Sequence, residues 1–287
     1  MKPSFEHVSK TKSVSSLNQL VLNIPDFEPF WHYHPEFELT YIIHGSGQRI
    51  VGDCIEPFFP GDLVLLGPDL PHTWNSFRDK DDKYMCRAVV YQFGAKLIPE
   101  TAETFPEFDG IRRLLEIAGR GVSFEGKKTD AIGKKLLRLT KIHGLAKLSS
   151  FWLLLDELGR RADYSLLAGD TYSPPQNKYH GERINKVFRF VADHFHENIQ
   201  LCQVASLVHM TETSFSRFFR AITGETFIDY LNNFRISHAC RLLAGNKEKV
   251  INQVAAECGY RSSTHFNRMF QLQKKCSPSD FRRRTTM

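Results

Sequence analysis

The stretch "INQVAAECGYRSSTHFNRMFQLQKKCSPSDFR" (residues 251–282) decides how this chain is read. A helix of small residues runs into the turn "CGY", and a second helix begins near Ser262. On that second helix Phe266, Met269 and Phe270 recur at helical spacing and face inward. Arg261, Thr264, His265 and Arg268 make an outward stripe that is polar and cationic.

Some fifty residues earlier, "LCQVASLVHMTETSFSRFFRAITG" (201–224) repeats the arrangement. Ala205 matches Ala255 and Val208 matches Cys258. A one-residue offset then sets Phe215, Arg217 and Phe219 opposite Phe266, Arg268 and Phe270. Leu201, Val204, Ala205 and Val208 form the apolar face of the first helix here, and "HMT" is the turn. Thr211 is placed to cap a second helix whose Phe215, Phe218, Phe219 and Ile222 point inward. Its outer face carries Thr213, Ser216, Arg217 and Arg220.

Two short helices, a tight turn and a small alanine at the crossing describe a helix-turn-helix. The stripe on each second helix has the residue types that reach base edges and phosphates in a major groove. A plain helical hairpin with a solvated basic face would account for one copy; the same stripe in both copies argues against it. The connector "TFIDYLNNFRISHACRLLAG" (226–245) offers Tyr230, Leu231, Phe234, Leu242 and Leu243 to both units. It would let them enter successive grooves ~34 Å apart.

Charge supports this placement. Residues 181–287 hold 16 Lys+Arg against 9 Asp+Glu, a balance of +7, whereas the rest of the chain sums to −1. The basic excess therefore sits in the segment that the repeat marks for a polyanion.

Working toward the N-terminus, residues 165–180 ("SLLAGDTYSPPQNKYH") break the helical pattern, and Pro174–Pro175 mark an interdomain linker. Before it come short helices: Ile111, Leu114, Leu115 and Ala118 mark one, and Ile132, Leu136, Leu137 and Leu139 another. A third spans about 144–163, where Leu145, Leu148, Trp152 and Leu155 follow a 3-4-3 spacing. That seam fits either a homodimer contact or packing against the β half.

From about 17 to 95 the pattern is β. Runs at 20–24, 36–45, 48–52, 62–67 and 86–93 are rich in β-branched and aromatic residues and are punctuated by Gly, Pro and Asp. Such strands predict an antiparallel sandwich or small barrel. The expected fold class is α+β in two domains: residues 1–164 an antiparallel β-barrel with helices, 165–180 the linker, and 181–287 an all-α double helix-turn-helix.

Bulk properties exclude several alternatives. Apolar runs such as "FWLLL" are too short to cross a bilayer, and the N-terminus lacks the apolar core of a secretory signal. Six scattered cysteines (54, 86, 202, 240, 258, 276) form no CxxC, which fits buried or incidental thiols in a reducing compartment. A cytoplasmic location with no membrane partner is expected.

With these residues in view, 181–287 resembles the DNA-binding domain of the AraC/XylS family of bacterial transcription regulators. The resemblance rests on "SFSRFFRAITGETFIDYLNNFRISHACRLL" and on the opening stretch, with its Gly-aromatic turn, Phe-x-Arg-x-Phe and Ser-Pro-Ser-x-aromatic-Arg. It implies that Thr213 and Arg217, and Thr264, His265 and Arg268, lie toward bases. Pro278 and Arg282 then fall at a closing turn and final helix.

The segment "FWHYHPEFELTY" (30–41) raises a separate question. On a continuous strand His32, His34 and Glu38 share a face, and His72 follows later. Together they make a first shell suited to Zn, Ni, Mn or Fe. The surrounding segments "HYHPEFELTYIIHGSG" (32–47) and "PGDLVLLGPDLPHTW" (60–74) resemble the two motifs of the cupin barrel, whose metal ligands follow an HxH-x3-E pattern. That resemblance implies an effector pocket of His32, His34, Glu38 and His72, flanked by Trp31 and Trp74, for a small molecule such as a sugar.

Three readings remain open for this cluster: an effector sensor with or without a metal, a metal-dependent cupin enzyme fused to a DNA-binding module, or residues that merely satisfy one another. The attached DNA-binding half favours the sensor, and no catalytic residues are assigned. The expected partners are double-stranded promoter DNA, the effector, RNA polymerase and a second copy of the chain. The expected outcome is activation of a carbohydrate or other catabolic operon.

Overall fold

The computed structural model describes residues 4–5, 16–77, 86–94, 97, 105–126, 129–170, 172, 180–245 and 249–285. The β half opens with β1 (Ser4–Phe5), β2 (Leu17–Ile24), β3 (His32–Tyr33), β4 (Phe37–His44), β5 (Gly47–Val51) and β6 (Cys54–Phe58). It continues with β7 (Leu63–Leu66), β8 (His72–Ser76) and β9 (Cys86–Phe93). Helix α1 (Asp109–Ile117), β10 (Val122–Phe124), α2 (Thr129–Leu139), α3 (Gly144–Gly159) and β11 (Tyr164–Leu166) complete it. The helical half comprises α4 (His180–His194), α5 (Leu201–Leu207), α6 (Glu212–Thr223), α7 (Phe227–Gly245), α8 (Ile251–Glu257), α9 (Ser263–Lys274) and α10 (Pro278–Thr285).

The strands form two sheets, ordered β1-β3-β8-β5-β6 and β11-β10-β7-β4-β9-β2. All pairs are antiparallel except β1 with β3. The expected barrel is thus an open sandwich among the described residues, because the chain changes sheets at tight corners. One such corner is Gly45, at φ 103°, where a Cβ would lie 2.7 Å from Cys86 Sγ.

Period-two alternation explains the layering. Phe37, Leu39 and Tyr41 of β4, with Val89, Tyr91 and Phe93 of β9, pack on α1, α2 and α3. Their sequence neighbours Glu38, Thr40, Ile42, Ala88, Val90 and Gln92 face the space between the sheets. The other sheet turns its outer face to the helical half: Trp31, Ile50 and Phe77 share one apolar core with α4, α5, α6 and the first part of α7. A second core, built by the rest of α7 with α8, α9 and α10, contains no residue of the β half.

Two expectations change in detail. Residues 165 and 166, expected to open the linker, instead pair with β10, and Leu167 and Ala168 are buried; their apolar side chains extend the sheet. The double proline lies outside the described residues. In the α3 seam Leu155 is fully buried, and Leu148 and Trp152 pack on the β half. Only Leu145 of the four stays open, at 75% exposure. Among the described residues no helix is long and apolar enough to cross a membrane.

Candidate functional sites

The histidine cluster forms as expected, by a different route. His32 belongs to one sheet and Glu38 to the other, and the chain crosses between them at 34–36, around Pro35. The four side chains therefore meet across the sandwich rather than along one strand. His72 of β8 pairs directly with His32 of β3. One ligand atom from each of His32, His34, Glu38 and His72 lies within 4.8 Å of the others.

Backbone carbonyls orient the rings. His32 Nδ1 lies 2.7 Å from Phe30 O, His34 Nδ1 3.1 Å from Glu36 O, and His72 Nδ1 2.8 Å from Leu70 O. At His32 and His72 a proton on Nδ1 satisfies those contacts and leaves Nε2 as the electron-pair donor, the usual arrangement behind a metal-ligating histidine, whereas His34 Nε2 carries the proton it shares with Glu38. His34 Nε2 is 3.1 Å from Glu38 Oε2, and His72 Nε2 is buried with no hydrogen-bond partner. Glu38 is further held by Thr40, whose hydroxyl donates to Oε1 at 2.8 Å, and by Gln92, whose amide donates to Oε2 at 3.0 Å.

Burial works against the charge on Glu38, but its hydrogen bond with His34 and the three nearby imidazoles hold the carboxyl well below the usual range. Burial, followed by the His32 charge, pushes the His72 imidazole down to about 3. An ionised carboxylate facing a neutral, unpartnered imidazole nitrogen is the donor set that a divalent cation requires.

The expected flanking tryptophans part company. Trp74 lines the inter-sheet cavity, and its buried indole N–H has no acceptor among the described residues. Trp31 turns to the opposite side of the sheet and meets the Phe188 ring edge-on at 6.4 Å. Alternation decides this, since a residue preceding an inward-facing His32 faces outward. His44 is exposed at the end of β4.

Trp31 thereby joins a contact with the helical half that sequence reading missed. Its backbone N–H donates to Asn185 Oδ1 at 2.6 Å, and Arg189 pairs with Glu28 at 3.3 Å. Phe77 meets Phe234 at 5.1 Å. Signals for this joint existed in the outward parity of Trp31 and in the apolar face of α4.

In the helical half the repeat extends to the details. Thr211 Oγ1 accepts from Ser214 N at 3.2 Å, and Ser262 Oγ accepts from His265 N at 3.4 Å. Gln203 and Gln253 each accept from the backbone N–H three residues earlier. The turns close through Met210 N to Ala205 O and Tyr260 N to Ala255 O. His209 and Gly259 take the matching left-handed position, at φ 55° and 79°.

Inward residues Phe215, Phe218, Phe219, Ile222, Phe266 and Phe270 are buried, and Met269 is partly buried. Thr213, Ser216, Arg217 and Arg220 on α6 are exposed, as are Thr264, His265 and Arg268 on α9 and Arg261 just before it. Pro278 opens α10. Arg282 donates to Lys249 O at 2.6 Å and so ties α10 to the start of α8.

Two units of one motif on a shared helix, each with an exposed cationic second helix, define a DNA-binding protein. Residues 204–284 match the family model described as a helix-turn-helix domain. The transcriptional activator RhaR of Yersinia pseudotuberculosis serotype O:1b (strain IP 31758) is 22% identical over 263 residues, covering 88% of this chain and 84% of that protein. RhaS of Mannheimia succiniciproducens, also a transcriptional activator, is 20% identical over 258 residues, covering 88% of each. Among solved structures, the DNA-binding domain of AdpA in complex with a target DNA is similar, at 29% identity and a TM-score of 0.34. It covers 35% of this chain and 89% of that one. Residues 204–284 thus carry a helix-turn-helix domain, and the chain is similar over most of its length to these two transcriptional activators. The helix-turn-helix match and these two relatives support a DNA-binding regulator.

Proposed function

We propose that this regulator changes its hold on DNA when a small effector and a divalent metal occupy the sandwich. The observation that carries the reading is adjacency: His32 belongs to the cluster, while Trp31, one residue earlier, grips α4 through Asn185 and Phe188. Residues 25–31 thus serve the inter-sheet space on one side and the helical half on the other. An occupant that favours one setting of this segment shifts an existing equilibrium between arrangements of the two halves.

His32, His34, Glu38 and His72 are the proposed ligands for Zn, Ni, Mn or Fe. When bound, the metal supplies positive charge in a space where Glu38 is the nearest anion. Thr40 and Gln92 hold the carboxylate in place, and the three backbone carbonyls hold the rings. On DNA, Thr213, Ser216, Arg217 and Arg220 meet one major groove, and Arg261, Thr264, His265 and Arg268 meet the next.

The name "activator" carried by the two relatives supports activation; RNA polymerase as a further partner, a catabolic operon as the target and a cytoplasmic location are proposed with it. Residues 1–164 are the sensing domain and 181–287 the reading domain. A homodimer is proposed through α3, where Leu145 and Leu153 are 75% and 71% exposed. Metal analysis of protein purified without an affinity tag tests the metal reading. One divalent ion per chain is expected in the wild type, with loss in Glu38→Gln, and no stoichiometric metal overturns it.

A further inference from the structure

The inter-sheet cavity has about 230 Å³ of space, and the histidine cluster borders it through His32 and Glu38. Its walls are Leu22, Ile24 and Phe27 with Ile42, Ala88 and Val90. Leu20 and Phe30 also line it while being 38% and 43% exposed, so they form its mouth.

The polar groups on its lining are largely committed to protein partners. Thr40 donates to Glu38, and Thr73 Oγ1 accepts from Phe30 N. Gln92 donates to Glu38 and accepts from Asn18. A sugar carries a hydroxyl on nearly every carbon, and most of these would lose water here without a replacement partner. An apolar body of the same size gains from burial instead.

Polarity is concentrated at one end, where His32 and Glu38 border the space. A divalent ion held by three imidazoles and one carboxylate would leave a net positive charge there, which favours an anionic head. Trp74 adds a buried indole N–H that needs an acceptor. The space is about eight times the ~30 Å³ share of a water molecule, which suits a short chain or a single ring.

We propose that the effector is a small apolar monocarboxylate, its hydrocarbon body between the sheets and its oxyanion head on the metal held by His32, His34, Glu38 and His72. This rests on the metal reading above. The residues that bound the mouth also touch the joint, since Phe30 adjoins Trp31 and Glu28 lines the cavity while pairing with Arg189. Filling the cavity therefore reaches the helical half through the same short segment.

The test uses the full chain, zinc-loaded or chelator-stripped, titrated calorimetrically with hexanoate, benzoate, 1-hexanol and glucose. With zinc bound, a carboxylate is expected to bind at least about tenfold tighter than hexanol, with glucose weaker still. Stripping the zinc should abolish the advantage of the carboxylate. Ala88→Phe, which fills the cavity from β9 at a position that touches none of the four ligands, should retain zinc and lose carboxylate binding.

Failure to bind zinc would remove the metal reading itself. Zinc binding with glucose preferred, or with hexanol equal to hexanoate, would overturn the ligand class and leave the metal standing. Carboxylate binding that survives metal removal would overturn the proposed head contact. The ligand series on the wild-type chain decides these points even if Ala88→Phe does not fold.

Discussion

The two helix-turn-helix units are copies of one motif in different surroundings. They share caps, turn bonds and buried phenylalanines, yet the first unit shares its core with Trp31, Ile50 and Phe77 of the sandwich. The apolar core of the second is built with α7 and α10, and among the described residues no residue of the sandwich joins it. The first unit thus shares its core with the sandwich, while the second has an apolar core distinct from it. The shared helix α7 is their mechanical link.

The sharpest way to break this distinction is Trp31→Ala. Truncating a fully buried tryptophan costs ~3–5 kcal/mol in folding, and here the loss falls at the joint. Hydrogen exchange should show α6 amides losing protection while α9 amides keep theirs. Equal loss in both helices would mean that the units do not differ in their dependence on the sandwich.

A smaller effect compares the two turns. Gly259 has φ 79°, and a Cβ there would lie 2.7 Å from Phe195 O, so Gly259→Ala should lower stability by ~1–3 kcal/mol. At the matched position His209 already bears the left-handed strain, and His209→Gly should raise stability by about 1 kcal/mol. Thermal melts of the two variants check the opposite signs.

Base reading comes next. Arg217→Ala and Arg268→Ala should each weaken specific binding by ~1–3 kcal/mol, with less effect on random DNA. Normal promoter footprints from both variants would remove the groove assignment.

The smallest effect concerns Glu225, between the first unit and α7. Burial, then the Asp229 charge, pushes its carboxyl up to about 7 from 4.5, against the Asn233 hydrogen bond. The folded chain therefore keeps a proton that the unfolded chain releases, and its contribution to stability is lost as pH rises through 7. Glu225→Gln should accordingly gain more in melting temperature at about pH 8 than at about pH 5. A pH-independent difference would contradict the assignment.

Sequence patterning made the paired units legible because each places large aromatics inside and cations outside at helical spacing. It also exposed the β4 and β9 runs, whose apolar residues continue on both faces. It missed β6, which contains Pro57, and β8, which reads "HTWNS". Those strands are polar or interrupted, and only their partners make them strands. Cluster membership was readable from HxH-x3-E, but the sheet change at Pro35 was not. Nor was Trp31 placed correctly, although its parity opposite to His32 held the answer. The parity of Trp31 and the apolar face of α4 marked two surfaces that need a partner, but not that they pair with each other.

Control of DNA binding by the occupant of the sandwich is tested by quantitative footprinting of the full chain on the DNA upstream of its gene, metal-loaded with hexanoate and then chelator-stripped. A change in occupancy is expected that is strongest at the half-site assigned to Arg217 and is lost in Asn185→Ala. Identical footprints in the two states, from protein shown to bind the metal, would contradict it.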